Sequence, residues 1–338
     1  MPSLLESVSG ALAGRYLIER ELGRGGMATV YLARDSKHGR MVALKVLRPT
    51  LSTTLAGDRF LREIQVAARL IHPHILPLYD SGESEGFLYY LMPYIEGESL
   101  RARLTRETRL PVGEAVKIGR EVADALDYAH RRGVVHRDIK PENILLGAGH
   151  AIVADFGIAR ALSVSGVPGV TAEGTIMGTP AYMSPEQADG EAELDGRSDI
   201  YSLGCVVFEL LAGRPPFVGR TAVGLLVRRL SEPAPLLRRI DAAVPAPLEA
   251  VVAKTLALHP VDRFATAGEL SGALERADRA GHADRIIEGS DAERLADASI
   301  VRRSGAGSLK RRTSNPTAVR PTKGGLPASS SNTRQPRL

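Results

Sequence analysis

Apolar and polar positions alternate through much of the first ninety residues. Tyr16-Leu17-Ile18, Thr29-Val30-Tyr31-Leu32-Ala33 and Val42-Ala43-Leu44-Lys45-Val46-Leu47 are short β-branched and aromatic runs that predict strands. Gly23-Arg24-Gly25-Gly26 separates the first two, and Asp35-Ser36-Lys37-His38-Gly39 is turn-forming between the next two. Ile75 to Leu78 and Phe87 to Met92 predict two more strands. Between these groups the period changes: Phe60, Ile64, Ala67, Ala68 and Ile71 recur at helical spacing, and His72-Pro73 ends the helix. Beyond Pro93 the helical period takes over. Val112 to Arg131 carries Val116, Val122, Ala123, Leu126 and Ala129, and Ser198 to Leu211 and Pro247 to Leu258 are two further helices. The Pro215-Pro216 pair, Pro233, Pro235 and Pro245 punctuate this half, and no internal repeat is visible. The pattern predicts an α+β chain with a small β-rich lobe holding one main helix, then a larger helical lobe.

Composition adds limits. The 338 residues are 43% hydrophobic and 25% charged, as in a soluble globular protein. One cysteine, Cys205, excludes an internal disulfide and a multi-cysteine zinc site, and fits a reducing compartment. Met1 to Gly14 contains Glu6 and lacks the apolar core of a signal peptide. Ile200 to Ala212, interrupted by Glu209, is too short for a membrane span and predicts a buried helix. A cytoplasmic location is therefore expected. The net charge of +5 is unevenly placed: from Ala298 onward there are nine Lys or Arg and no acid. Such a Ser/Thr/Pro/Gly-rich stretch buries too little apolar surface to offset its ordering entropy and is expected to be mostly disordered. It can be a solvated linker, or it can meet an anionic membrane or nucleic acid; the sequence leaves both open.

The densest chemistry lies in His136-Arg137-Asp138-Ile139-Lys140-Pro141-Glu142-Asn143, followed by Asp155-Phe156-Gly157. Asp138 is a carboxylate able to accept a proton, and Lys140 is a cation able to offset phosphate charge. Asn143 and Asp155 are hard oxygen donors suited to Mg²⁺. Upstream, glycines 23, 25 and 26 let backbone amides approach an anion without a Cβ in the way. A dinucleotide fold would need a helix directly after that loop, and Thr29-Val30-Tyr31-Leu32 is strand-like instead.

Together these segments resemble the loops of Hanks-type (eukaryotic-like) serine/threonine protein kinases, and their details look most like the bacterial branch. The resemblance runs from about Tyr16 to Leu274. It implies a bilobal fold with ATP as phosphoryl donor and Mg²⁺, or Mn²⁺, as metal. Gly23-x-Gly25-x-x-Ala28-x-Val30 would be the glycine-rich loop, with Ala28 in place of a third glycine and a modest effect on ATP affinity. Lys45 would bind the α- and β-phosphates and Glu63 would hold it through an ion pair. Met92-Pro93-Tyr94-Ile95 would be the hinge, adenine meeting the C=O of Pro93 and the N–H of Ile95. Leu22, Val30, Ala43 and Leu145 would sandwich the ring, though all four also suit a plain core. Asp138 would be the base, Lys140 would sit near the γ-phosphate, and Asn143 and Asp155 would hold the metal. Lys140-Pro141-Glu142-Asn143 is the serine/threonine form.

Gly178 to Glu186 resembles the end of an activation segment, which serves a peptide substrate. Ser184 replaces the usual alanine there with little expected consequence. Glu186 would pair with Arg263, and Asp199 would accept bonds from the catalytic-loop backbone. Arg137 would meet a phosphate carried on Thr175 or Thr171, while Thr179 would bond to Asp138 and Lys140. The implied organisation is an extension over 1–15, a kinase domain over 16–280 divided at 93/94, and the basic tail over 281–338. The implied activity is transfer of the γ-phosphoryl of ATP to Ser/Thr hydroxyls of proteins, with self-association for autophosphorylation. A pseudokinase scaffold is disfavoured because Lys45, Asp138, Asn143 and Asp155 are all present. A small-molecule phosphotransferase is disfavoured by the Gly178 to Glu186 segment.

Overall fold

Strand alternation in the first lobe gives a five-stranded antiparallel sheet in the computed structural model, which describes residues 4–26, 28–47, 54–156, 180–191 and 193–282. The strands are β1 (Tyr16–Arg24), β2 (Ala28–Asp35), β3 (Arg40–Leu47), β4 (Asp80–Ser84) and β5 (Phe87–Pro93), in the order β1-β2-β3-β5-β4. Because side chains alternate across a sheet, each face has its own apolar cluster. On one face Ala28, Ala43, Leu47, Leu88, Tyr90 and Met92 pack with Phe60 and Ile64 of helix α2 (Thr54–Ala67). On the other, Tyr31, Ala33, Val42, Leu44, Val46, Tyr89 and Leu91 pack with Val8, Leu12 and Tyr16. Val8 belongs to helix α1 (Leu4–Ala11), so part of the stretch expected as an extension covers the sheet's outer face.

Three expectations for this lobe change. Ile75 to Leu78 makes one parallel bridge, Ile75 to Val153, and is not one of the sheet's strands. Pro73 and Pro77 remove ladder donors there. The segment instead runs along the strand His150–Val153, with Leu76 N–H donating to the Val153 carbonyl (2.8 Å) and Val153 N–H to the His74 carbonyl (2.9 Å). The fourth strand is the polar Asp80–Ser84, an edge strand that no apolar alternation marks. The α2 helix ends at Ala67, and Ile71 is 80% exposed despite its helical spacing.

In the second lobe a small sheet of β6 (Gly97–Ser99), β7 (Ile144–Gly147) and β8 (His150–Val153) lies beside α3 (Leu100–Glu107) and α4 (Val112–His130). The one-turn α5 (Pro185–Ala188) precedes α6 (Gly196–Ala212), α7 (Ala222–Ser231) and α8 (Ala246–Thr255). A last helix, α9, occupies 267–282. Helix α6 is buried from Ser198 to Leu211, as the apolar run predicted, and it packs on α4. Gly119 permits that approach: a Cβ there would stand 2.9 Å from Val207 Cγ2. Burial pushes the Cys205 thiol up to about 11. No helix among the described residues is long and apolar enough to cross a membrane. Of the tail expected over 281–338, residues 281 and 282 end α9 and the rest lies outside the described residues.

Candidate active site

Cross-strand register sets the first part of the site. Lys45 on β3 stands opposite Tyr90 on β5, and both point to the inner face of the sheet. The Lys45 ammonium reaches Asp155 Oδ2 at 2.5 Å and the Tyr90 hydroxyl donates to Asp155 Oδ1 at 2.5 Å. Burial drives the Asp155 carboxyl up, but Lys45 and Tyr90 more than reverse this, and it is held below the usual carboxylate range. Burial and the adjacent carboxylate push the Tyr90 phenol well above its ordinary value. Asp155 has a left-handed backbone with φ 68°. For a non-glycine residue that costs on the order of 1–3 kcal/mol, so the surroundings must hold it. They do so on its preceding residue: Ala154 N–H donates to the Asn143 carbonyl (2.9 Å) and the Ala154 carbonyl meets His136 Nε2 (2.8 Å).

The second part is the loop between α4 and β7. Asp199 on α6 is fully buried. Its Oδ2 accepts from His136 N–H (2.7 Å) and from His130 Nε2 (2.8 Å), and its Oδ1 from Arg137 N–H (2.7 Å). Burial pushes this carboxyl up, and the His130 and His136 bonds pull it below its ordinary range. His136 Nδ1 accepts the Asp138 N–H (3.2 Å), which leaves Nε2 as the proton carrier facing Ala154. Arg137 adopts φ 69° and turns the chain so that Asp138 follows with its side chain 41% exposed. Lys140 Nζ meets Asp138 Oδ2 at 2.7 Å. Asn143 Nδ2 donates to the Asp138 carbonyl (2.8 Å) and carboxylate (3.0 Å). That use of its nitrogen leaves Asn143 Oδ1 as an oxygen donor. With Asp155 it makes an all-oxygen set of the kind hard dications take.

Supports lie behind the loop. Arg263 is buried and forms a two-pronged pair with Glu186, at 2.7 and 2.8 Å, as expected from the sequence. Ser198 Oγ adds a 2.6 Å bond to Glu186. Burial pushes the Glu186 carboxyl up, but these partners hold it below its usual range. Ser184 has more consequence than its small size suggested. It is fully buried and caps α5 in a reciprocal pair with Gln187, 3.3 Å from side chain to backbone and 3.0 Å in return. Gln187 Nε2 then donates to the Arg137 carbonyl (2.9 Å), tying α5 to the loop.

Sequence reasoning missed several of these residues, Tyr90, His130, Gln187 and Arg229, and it quoted His136 in its motif without giving it a role. Arg229, on α7, is only 1% exposed and donates to the carbonyls of Pro180 (2.7 Å), Ala181 (2.6 Å) and Met183. Only the facing register of β3 and β5 would have signalled Tyr90; Arg229 reads in sequence as an ordinary surface arginine.

Among the residues expected to enclose the adenine, Ala43 and Met92 are buried in one cluster against which the partly buried Leu22, Val30, Ile95 and Leu145 pack. Pro93 ends β5 opposite Val42. At Gly23 and Gly26 an added Cβ would meet no described atom within 4 Å, and at Gly25 only the Ala28 carbonyl at 3.7 Å. Contacts within the described protein therefore do not require these glycines. Glu63 is half-buried on α2, beside Ile64. Thr171, Thr175 and Thr179 lie outside the described residues.

A family model described as a protein kinase domain matches residues 16–269. The serine/threonine-protein kinase PknD of Mycobacterium tuberculosis is 44% identical over 265 residues, covering 78% of this chain and 39% of PknD. PknJ of Mycobacterium bovis is 42% identical over 287 residues, 82% of this chain and 48% of PknJ. PknB of Mycolicibacterium smegmatis is 44% identical over 272 residues, 78% and 43% respectively. The chain thus spans less than half the length of these curated relatives. The crystal structure of the Mycobacterium tuberculosis PknI kinase domain superposes with a TM-score of 0.62 at 36% identity, covering 78% of this chain and 96% of that one.

Proposed function

This chain belongs to the protein kinase family, with a kinase domain of the serine/threonine type, and from that premise we propose that it transfers the γ-phosphoryl of ATP to serine and threonine hydroxyls of proteins. The observation that carries the reading is the Asp138 carboxylate, exposed to the cleft yet fixed between Lys140 and Asn143 on a loop braced by Asp199. Asp138 takes the proton of the acceptor hydroxyl as its oxygen bonds to phosphorus and the bond to the ADP oxygen breaks. Lys140 offsets charge on the transferring group. Lys45, oriented with Glu63, holds the α- and β-phosphates, and the loop of Gly23, Gly25 and Gly26 closes over them, its turn held by the Gly25 N–H bond to the Ala28 carbonyl. Asn143 and Asp155 hold Mg²⁺ or Mn²⁺, which when bound supplies neutralisation of phosphate charge. Leu22, Val30, Ala43, Met92 and Leu145 enclose the adenine, which bonds to the Pro93 carbonyl and the Ile95 amide.

The same reading places the domain over 16–280 and a basic tail beyond it, available as a linker or for anionic membrane or nucleic acid. It places the protein in the cytoplasm. It gives Thr175 or Thr171 as sites phosphorylated between associating copies, with Arg137 receiving the phosphate and Thr179 bonding to the base. Asp138→Asn tests it. General-base removal should lower transfer by roughly 10²–10⁴-fold, measured with ATP, Mg²⁺ and a protein acceptor, while ATP binding persists. Near wild-type transfer in that variant would refute the assignment.

A further inference from the structure

Away from the phosphate site, three side chains from three elements converge. His74 lies in the extended segment between α2 and β4, Glu121 on α4 and His150 at the start of β8. One ligand atom from each lies within 4.8 Å of the other two. We propose that His74, Glu121 and His150 form a site for a zinc-type transition-metal dication, with water in the remaining position.

Two imidazoles and one carboxylate are a donor set that zinc takes with a fourth position open. Here the backbone of Ala151 aims them. His74 Nδ1 donates to the Ala151 carbonyl at 2.9 Å, which leaves the Nε2 lone pair for a metal. Glu121 Oε2 accepts the Ala151 N–H at 2.7 Å, which leaves Oε1. Such bonds to the outer atoms of ligands fix tautomer and orientation in metal sites. The remaining pair, His150 Nδ1 and Glu121 Oε1, is 2.8 Å apart and shares a proton. A tetrahedral zinc, with bonds of about 2.0–2.1 Å, needs its donors about 3.3 Å apart, so the ion replaces that proton as this pair opens by about half an ångström and the His74 donor, now within 4.8 Å, draws in. His150 has room to turn, since its side chain is 58% exposed.

The resident cation near the carboxylate is Lys117, 4.0 Å from Glu121 Oε1 and 52% exposed, which the ion displaces toward solvent. A surface cavity lined by Glu98, Arg103, Lys117, Glu121 and His150 opens onto two of the three ligands. The hydrogen bonds of Glu121 to His150 and Ala151 tie the β7–β8 turn to α4, and the third member, His74, joins them through the Ala151 carbonyl and its ring contact with His150. A metal uses all three. The His74 carbonyl also accepts the Val153 N–H, two residues before Asp155, so the ion would fasten the strand that leads into the phosphate site.

The test uses the full chain stripped with a chelator and titrated with Co²⁺ and then Zn²⁺. Co²⁺ should give the intense visible absorption of a four-coordinate site with nitrogen donors, and Zn²⁺ should abolish it. Asn143 and Asp155 offer only oxygen and would give the weak six-coordinate spectrum. Zn²⁺ should raise the melting temperature by several degrees. His150→Ala and Glu121→Gln should each weaken Zn²⁺ binding by on the order of a hundredfold or more, measured by chelator competition. His150→Ala changes an exposed side chain and should keep the metal-free circular dichroism. A six-coordinate spectrum only, or equal Zn²⁺ affinity in the wild type and both variants, would overturn the proposal.

Discussion

Asp199→Asn is the sharpest perturbation available, because it alters one atom at the point where the catalytic loop is hung. The carboxylate is fully buried and accepts three donors, from His136 N–H, Arg137 N–H and the His130 ring. An asparagine amide turns its NH₂ toward at least one of them. The milder orientation sets it against Arg137 N–H and leaves that buried donor unsatisfied, which costs about 1–3 kcal/mol. The other two bonds lose their charge assistance, roughly half their strength. The sum is about 3–5 kcal/mol, the scale of breaking a buried ion pair. For a domain of this size it lowers the melting temperature by roughly 10 °C.

Arg137 also holds φ 69° directly before Asp138. Release of its amide should displace the base, and a 1 Å displacement costs about 10²-fold in rate. Differential scanning fluorimetry and single-turnover phosphoryl transfer read both effects. Asp195→Asn, at the exposed N-cap of the same helix, is the control. The pH dependence adds a check. A carboxyl held below its ordinary range stabilises above the unfolded value of about 3.9 and loses that contribution as pH falls through the lower folded value. The gap between wild type and variant should therefore be widest above about pH 4 and narrow below it. Melting within 2 °C and transfer within about threefold of wild type would refute the reasoning, both being far inside the effects estimated above.

Lys45→Met removes one partner of a largely buried pair but leaves Asp155 its Tyr90 bond; circular dichroism should stay native while transfer falls at least about 100-fold, and an unfolded variant would point to a structural lysine instead. Arg229→Met strips the donors from three carbonyls at residues 180, 181 and 183. It should raise KM for a protein acceptor about tenfold, roughly 1.4 kcal/mol, with KM for ATP unchanged; equal shifts in both would place the effect elsewhere. The Thr171→Ala/Thr175→Ala double variant should lose most activity and, by mass spectrometry, the phosphate between residues 158 and 180; full activity would remove both threonines as switches.

How much was legible in advance depended on whether chemistry or packing chose the residue. Asp138, Asn143, Asp155 and Lys45 stood out because the phosphoryl chemistry expected of them restricts both type and spacing, and the fold brings Lys45 to Asp155 and Asn143 to Asp138. The Glu186–Arg263 pair was visible through its motif, although 77 residues separate the partners. Helix α6 announced itself by a continuous apolar run. Strand Asp80–Ser84 did not, because an edge strand owes its place to a partner, here β5. Tyr90 was hidden for a related reason: its role depends on facing Lys45 across a register that apolar runs alone leave open. Arg229 and the His74, Glu121 and His150 group come from distant parts of the chain, and only the folded chain brings their atoms together.

The α1 helix has a practical consequence for anyone shortening this chain. The family match starts at Tyr16, which invites a cut there. Val8 and Leu12 are fully or almost fully buried against the outer face of the sheet, and each such side chain contributes about 1.5–3 kcal/mol. A chain begun at Tyr16 would bare Tyr31, Val42, Leu44 and Leu91 as a contiguous greasy surface, the kind that drives proteins to clump during expression. The place to cut is ahead of Leu4.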